Sequence, residues 1–252
     1  MEALVCAVLK LPKIKNMRKI LILLAFAMLF FAQCNTAQKV EADIFYLSRA
    51  PKVKIENPPV LVLLHGLGSN ENDLYGLVNH LPDSFLILSL RATRTIKEGS
   101  YRWYDLQWVN GEPVGNKSEQ EESRDILIRF LENLHKKHKF DKKRVYLGGF
   151  SQGAVMSLAV ALKSPELLKG IIILSGKIPE AADLLSSNKS YYERLKIFMA
   201  HGTEDKVLSI EGARFLNSFL EKNRFMVEYH EFNMVHTINK ETLTALNLWL
   251  KK

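Results

Sequence analysis

The stretch Val145-Tyr146-Leu147-Gly148-Gly149-Phe150-Ser151-Gln152-Gly153-Ala154-Val155-Met156 decides the fold. It begins as a short β-rich apolar run, and it ends by opening residues 153–162, which are apolar nearly all round, as a helix buried inside a protein must be. Between them, Gly149-Phe150-Ser151-Gln152-Gly153 matches Gly-x-Ser-x-Gly. A buried strand, a sharp turn and a buried helix form the setting of a nucleophile elbow. The serine takes a strained backbone conformation at the tip, and side chains two positions away on either side would clash, so both places are glycine.

Outward from this turn, continuous apolar runs at 60–64, 85–90, 171–174 and 197–200 read as strands buried on both faces. Residues 227–232 alternate as an edge strand would, and 44–47 is a shorter strand candidate. Helical spacing falls between them. Leu127, Phe130, Leu131 and Leu134 share one face, Phe215, Leu216, Phe219 and Leu220 mark a second helix, and Leu243, Leu246 and Leu250 mark a last one with Asn239 as its N-cap. Strands alternating with helices imply right-handed βαβ units. The expectation is a single α/β domain of the α/β-hydrolase type, with a mostly parallel central sheet and helices on both faces. Residues 91–118 and 178–194 show little regular pattern. The first of these follows a strand and is expected to cross the carboxyl edge of the sheet, where ligands bind in such folds.

A serine hydroxyl is a weak nucleophile at neutral pH and needs a histidine base oriented by a carboxylate. On this fold the chain order is serine, acid, histidine. The run at 197–200 leads into His201-Gly202-Thr203-Glu204-Asp205, which places Asp205 just past a strand, with Glu204 and Asp183 as alternatives. Of the later histidines, His230 lies inside a strand pattern, whereas His236 lies in the loop beyond it and is free to reach back to Ser151. An oxyanion hole requires two donors. The amide of Gln152 follows the nucleophile, and the flexible turn His65-Gly66-Leu67-Gly68 after the 60–64 strand offers the amide of Leu67. His65 reads as a turn residue. Trp103 and Tyr104, in the irregular segment, read as walls of a substrate pocket.

The 252 residues are 47% hydrophobic and 25% charged, a balance that sustains a packed core and excludes a disordered chain. The net charge of +8 is partly a property of residues 1–33, which hold five bases and one acid. The bases beyond them are scattered, so nucleic acid is not an expected partner. Residues 20–32 are thirteen unbroken apolar positions behind Arg18 and Lys19. That is signal-peptide length, shorter than the roughly 20 residues of a membrane span. Met17 is a natural start for such a peptide. Residues 1–37 therefore read as a leader and 38–252 as the catalytic domain, located outside the cytoplasm. Phe31-Ala32-Gln33-Cys34 loosely resembles a lipobox that would make Cys34 a membrane tether; cleavage after Ala37 and an uncleaved anchor are the competing readings. Cys6 and Cys34 are the two cysteines, both in this leader, so the domain has no disulfide, no cysteine nucleophile and no cysteine–histidine zinc cluster.

Taken together, these motifs resemble the phospholipase/carboxylesterase family, which includes acyl-protein thioesterases and small bacterial carboxylesterases. The matching pieces are His65-Gly66-Leu67-Gly68-Ser69-Asn70-Glu71-Asn72-Asp73, Arg102-Trp103-Tyr104-Asp105, Gly149 to Ala154, His201 to Asp205, and Met234-Val235-His236. The asparagine-rich run after Gly68 looks more like the bacterial branch. Lys206 and Val235 depart from the proline and glycine that are frequent at those places. The resemblance implies a triad of Ser151, Asp205 and His236, no cofactor or metal, and carboxylic ester, thioester or lysophospholipid substrates. It is compatible with a monomer or a homodimer. Two other functions remain open at this point, a peptidase on the same fold and a non-catalytic surface binding protein.

Overall fold

Branched aliphatic side chains fill both faces of the central strands, and burying them builds the molecule. The computed structural model describes residues 44–181 and 189–252. Residues 1–37, read above as a leader, with Cys6 and Cys34, and Asp183 lie outside the described residues. Residues 41–252 form one unit.

Seven strands make the main sheet: β1 (Tyr46–Arg49), β2 (Val60–Leu64), β3 (Leu86–Leu90), β8 (Val145–Phe150), β9 (Gly170–Leu174), β10 (Lys196–Gly202) and β11 (Met226–Phe232). Their spatial order is β1-β3-β2-β8-β9-β10-β11. All neighbours are parallel except β1, which runs antiparallel along β3. Among the described residues, five α-helices cover it: α1 (Glu71–Tyr75), α2 (Lys117–Asn133), α3 (Gln152–Lys163), α4 (Ile210–Lys222) and α5 (Lys240–Leu250).

The pleat sorts side chains to two cores. Val60, Val62 and Leu64 of β2 join the core built with α2, α3 and α4, while Leu61 and Leu63 join the core built with α1 and α5. The helix starts follow the side-chain chemistry of capping. Asn116, Ser209 and Asn239 each accept a hydrogen bond from the third amide of their helix. Phe215, expected on the inner stripe of α4, is 68% exposed, while Leu216 and Leu220 carry the burial.

The segment after β3 departs from the expectation of an irregular crossing. It forms two hairpins, β4 (Arg94–Lys97) with β5 (Ser100–Arg102), and β6 (Leu106–Val109) with β7 (Glu112–Gly115). The second turns through Asn110-Gly111 with φ of 52° and 82°. That is the left-handed pair a two-residue hairpin loop needs, and Asn-Gly is its usual sequence. The signal was present, but the strands it joins are only four residues long and mostly exposed.

β8 also runs three residues further than its apolar run, because Phe150 pairs with Leu174 and the Ser151 amide donates to the Leu174 carbonyl at 2.9 Å. The chain then reverses sharply into α3. A methyl group on Gly153 would lie 2.0 Å from the Leu64 carbonyl oxygen, and one on Gly149 2.3 Å from the Gly153 carbonyl carbon. Gly153→Ala is therefore expected to destabilise the protein by about 3 kcal/mol or more, since the blocking atoms are backbone. Asn239→Ala, which removes only a cap, should cost about 1 kcal/mol. Urea denaturation of both variants would test the contrast.

Candidate active site

The elbow holds Ser151 at φ 54° and ψ −117°, a conformation that non-glycine residues seldom adopt. Its hydroxyl consequently projects from the carboxyl edge of the sheet. Two loops converge on it. One follows β10 and carries Asp205; the other follows β11 and carries His236. Ser151 Oγ lies 2.9 Å from His236 Nε2, and His236 Nδ1 lies 2.7 Å from Asp205 Oδ2.

The direction of these bonds follows from the carboxylate. Burial pushes the Asp205 pKa up, but donation by the Leu208 amide, His236 and the Val207 amide outweighs it and holds the group below the ordinary carboxylate range. Ionised, Asp205 is an acceptor only, so His236 Nδ1 carries the proton. Nε2 is then a free acceptor for the Ser151 hydroxyl proton. The amides of Val207 and Leu208 donate to Asp205 Oδ1 at 2.9 and 3.0 Å. His201 is fully buried, and its Nε2 donates to the Leu208 carbonyl at 2.8 Å, 3.4 Å from Asp205 Oδ2. Phe150 packs its ring on His236, centroids 4.8 Å apart.

The other sequence candidates lie elsewhere. Glu204 is exposed, with its amide donating to the Met234 carbonyl. His230 stays on β11 beside Glu228 and stacks with Phe232. His65 is fully buried, and burial lowers its pKa. Its Nε2 accepts from the Ala92 amide at 3.0 Å, so its proton sits on Nδ1 and is donated to the Gly66 carbonyl at 2.7 Å. It shapes the turn that presents Leu67.

The amides of Leu67 and Gln152 border the same cavity as Ser151, and neither meets a hydrogen-bond acceptor among the described residues. The Gln152 side chain has a role that its place beside the serine does not reveal. Its Oε1 accepts from the Trp103 amide and its Nε2 donates to the Tyr104 carbonyl, both at 2.8 Å. Trp103 in turn donates its indole N–H to the His65 carbonyl at 3.0 Å. One glutamine thus locks the elbow to the turn that carries Leu67.

This arrangement corrects the expectation that Trp103 lines the pocket. It is fully buried beneath the turn, held by those bonds and by contact with the His65 ring. Tyr104 does line the cavity, which has a volume of about 250 Å³. Leu106, Trp108 and Pro113 of the β6–β7 hairpin, Val155 of α3, Val207 and Leu208 supply most of the remaining wall, with Lys177 from the loop after β9. Sequence reading missed the hairpin walls and Lys177; only the Asn110-Gly111 turn signal pointed to the hairpin.

A strained serine at a β8–α3 elbow, joined to a histidine and an aspartate from later loops, defines the α/β-hydrolase class. The sequence pattern of the phospholipase/carboxylesterase family matches residues 51–252, and the chain belongs to that family. Acyl-protein thioesterase 1 of Mycosarcoma maydis is 35% identical over 120 residues, covering 46% of this chain and 50% of that protein. Acyl-protein thioesterase 1 of Yarrowia lipolytica is 28% identical over 158 residues, covering 60% and 67%. The chain thus spans between half and two thirds of the length of these curated relatives. The carboxylesterase crystal structure from Bacillus cereus shares the fold with a TM-score of 0.71 at 24% identity, covering 88% of this chain and 97% of that one.

Because the folded pKa of Asp205 lies below its unfolded value of about 3.9, its ionised form stabilises the fold above about pH 4. That contribution disappears as the pH falls through the lower, folded value. Asp205→Asn turns an amide N–H₂ toward His236 Nδ1–H and should cost about 2 kcal/mol at pH 7. Its stability should also fall less steeply than that of the native protein between pH 4 and 2. Urea titrations at stepped pH would check both.

Proposed function

We propose that this protein is a serine hydrolase of carboxylic esters, in which Ser151, His236 and Asp205 form the triad and the amides of Leu67 and Gln152 form the oxyanion hole. The observation that carries this reading is the continuous chain of hydrogen bonds from Ser151 Oγ through the His236 ring to Asp205. Membership of the family, and relatives named carboxylesterase and acyl-protein thioesterase, support the same chemistry.

The steps follow from the tautomer. His236 Nε2 takes the hydroxyl proton as Ser151 Oγ bonds to the acyl carbon. The carbonyl oxygen becomes an oxyanion held by the two amides, each contributing about 3 kcal/mol to the transition state. Asp205 stabilises the imidazolium without taking its proton. The imidazolium then protonates the leaving alkoxide or thiolate as its bond to carbon breaks, which releases the alcohol or thiol and leaves Ser151 acylated. Water enters, His236 takes its proton, and collapse of the second tetrahedral intermediate returns the proton to Ser151 and releases the acid.

The elbow strain, the Gln152 lock and the buried His201 hold these groups in place before substrate arrives, which is what electrostatic preorganisation requires. The small, mostly apolar cavity supports acyl groups of short to medium length, with thioesters as a variant that the same groups handle. Export from the cytoplasm belongs to the same proposal, supported by the thirteen apolar residues behind Arg18 and Lys19.

The native protein should hydrolyse p-nitrophenyl esters from acetate to decanoate, fastest at the shorter lengths, and should be labelled by a fluorophosphonate. Ser151→Ala should lower kcat by about 10⁴-fold or more and abolish the label. A folded native protein that does neither would overturn the assignment.

A further inference from the structure

One charged side chain stands in the described wall of the cavity. Lys177 follows the end of β9 by three residues, and its Nζ donates to the Pro113 carbonyl and to Glu180 Oε1, both at 2.6 Å. An ammonium has three N–H donors. Among the described residues the third has no acceptor.

Glu180 holds three donors in turn. It accepts from Lys177, from the Gly115 amide at 3.0 Å and from Gln120 Nε2. Lys177, fixed by Glu180 from behind, is therefore a charged group in a cavity whose apolar wall includes Leu106, Trp108, Pro113, Val155 and Leu208. It also ties β7 to the loop after β9, so the ammonium is held by backbone as well as by charge. The cavity is small beside ordinary ligand pockets of about 300–1,000 Å³, so an acyl chain of a few carbons would reach this part of the wall.

A plain alkyl chain lodged there would cover a charged N–H without satisfying it, which is costly. An anionic chain end at the ammonium would also feel the negative charge of Glu180, whose Oε1 lies 2.6 Å from Lys177 Nζ. A neutral oxygen satisfies the spare donor and avoids that repulsion. Building on the hydrolase reading above, we infer that Lys177 is a specificity residue that reads a neutral oxygen on the acyl chain. The preferred substrates are then esters of short acids bearing an ether, hydroxyl or keto oxygen, rather than plain fatty esters.

The test uses length-matched pairs of p-nitrophenyl esters, 3-methoxypropanoate against pentanoate and 4-methoxybutanoate against hexanoate. The readout is the ratio of the two kcat/KM values within each protein, so a general loss of activity cancels. The native protein should prefer the oxygenated ester in at least one pair by about tenfold, the worth of one hydrogen bond to a charged donor. In Lys177→Met the ratio should fall to one or below. The double variant Lys177→Met/Glu180→Gln should behave alike, and it avoids a buried unpaired carboxylate if the single variant folds poorly. The mono-p-nitrophenyl ester of glutaric acid should be slower than either methoxy ester. A native ratio at or below one, a ratio kept in both variants, or a preference for the glutarate ester would overturn the role of Lys177. Native protein that hydrolyses none of these esters and takes no fluorophosphonate would overturn the hydrolase reading instead.

Discussion

At the crossing of β2 and α3 the Leu64 carbonyl oxygen occupies the place where a Gly153 side chain would be. This contact lets the helix begin directly at the end of the strand, with no intervening loop. It forces Ser151 into a left-handed conformation and turns its hydroxyl out of the sheet. The strain is borne because the Ser151 amide is tied to Leu174 and the elbow is packed between two fully buried strands. Loops from β2, β10 and β11 then need only reach one fixed point.

The loops themselves are held from behind. His201 grips the Leu208 carbonyl, and the amides of Val207 and Leu208 grip Asp205. Gln152, Trp103 and His65 form a second chain of bonds that fixes the turn around Leu67. Each of these side chains is buried, so its hydrogen bonds are made away from competing water and an unmade one would be costly. The groups around Ser151, His236 and Asp205 are thus held by several bonds each, and the hairpin β6–β7 gives the site a separate, mostly apolar wall.

The division between a hydrogen-bonded centre and a mostly apolar wall explains what was legible in the chain. The strands at 60–64, 85–90, 171–174 and 197–200 were readable because strands buried on both faces must be continuously apolar. Ser151, Asp205 and His236 were readable because the fold fixes their order and each follows a recognisable strand. Trp103 was misassigned because an aromatic beside a site looks the same in sequence whether it faces the pocket or lies under the turn. Lys177 was invisible for a similar reason: a lysine after a strand is ordinarily a solvated surface group.

The sequence alone determined the sheet, its buried strands and the identity of the groups that meet at the elbow, since local periodicity and glycine spacing encode them. The tertiary structure decided which side chains face the cavity. That depends on how two hairpins fold back across the carboxyl edge of the sheet, and on contacts such as Trp103 with His65 and Lys177 with Pro113, which lie 38 and 64 residues apart in the chain. Local preferences act over a few residues, so no local pattern records pairings at that separation; they arise only when burial and hydrogen bonding are satisfied together.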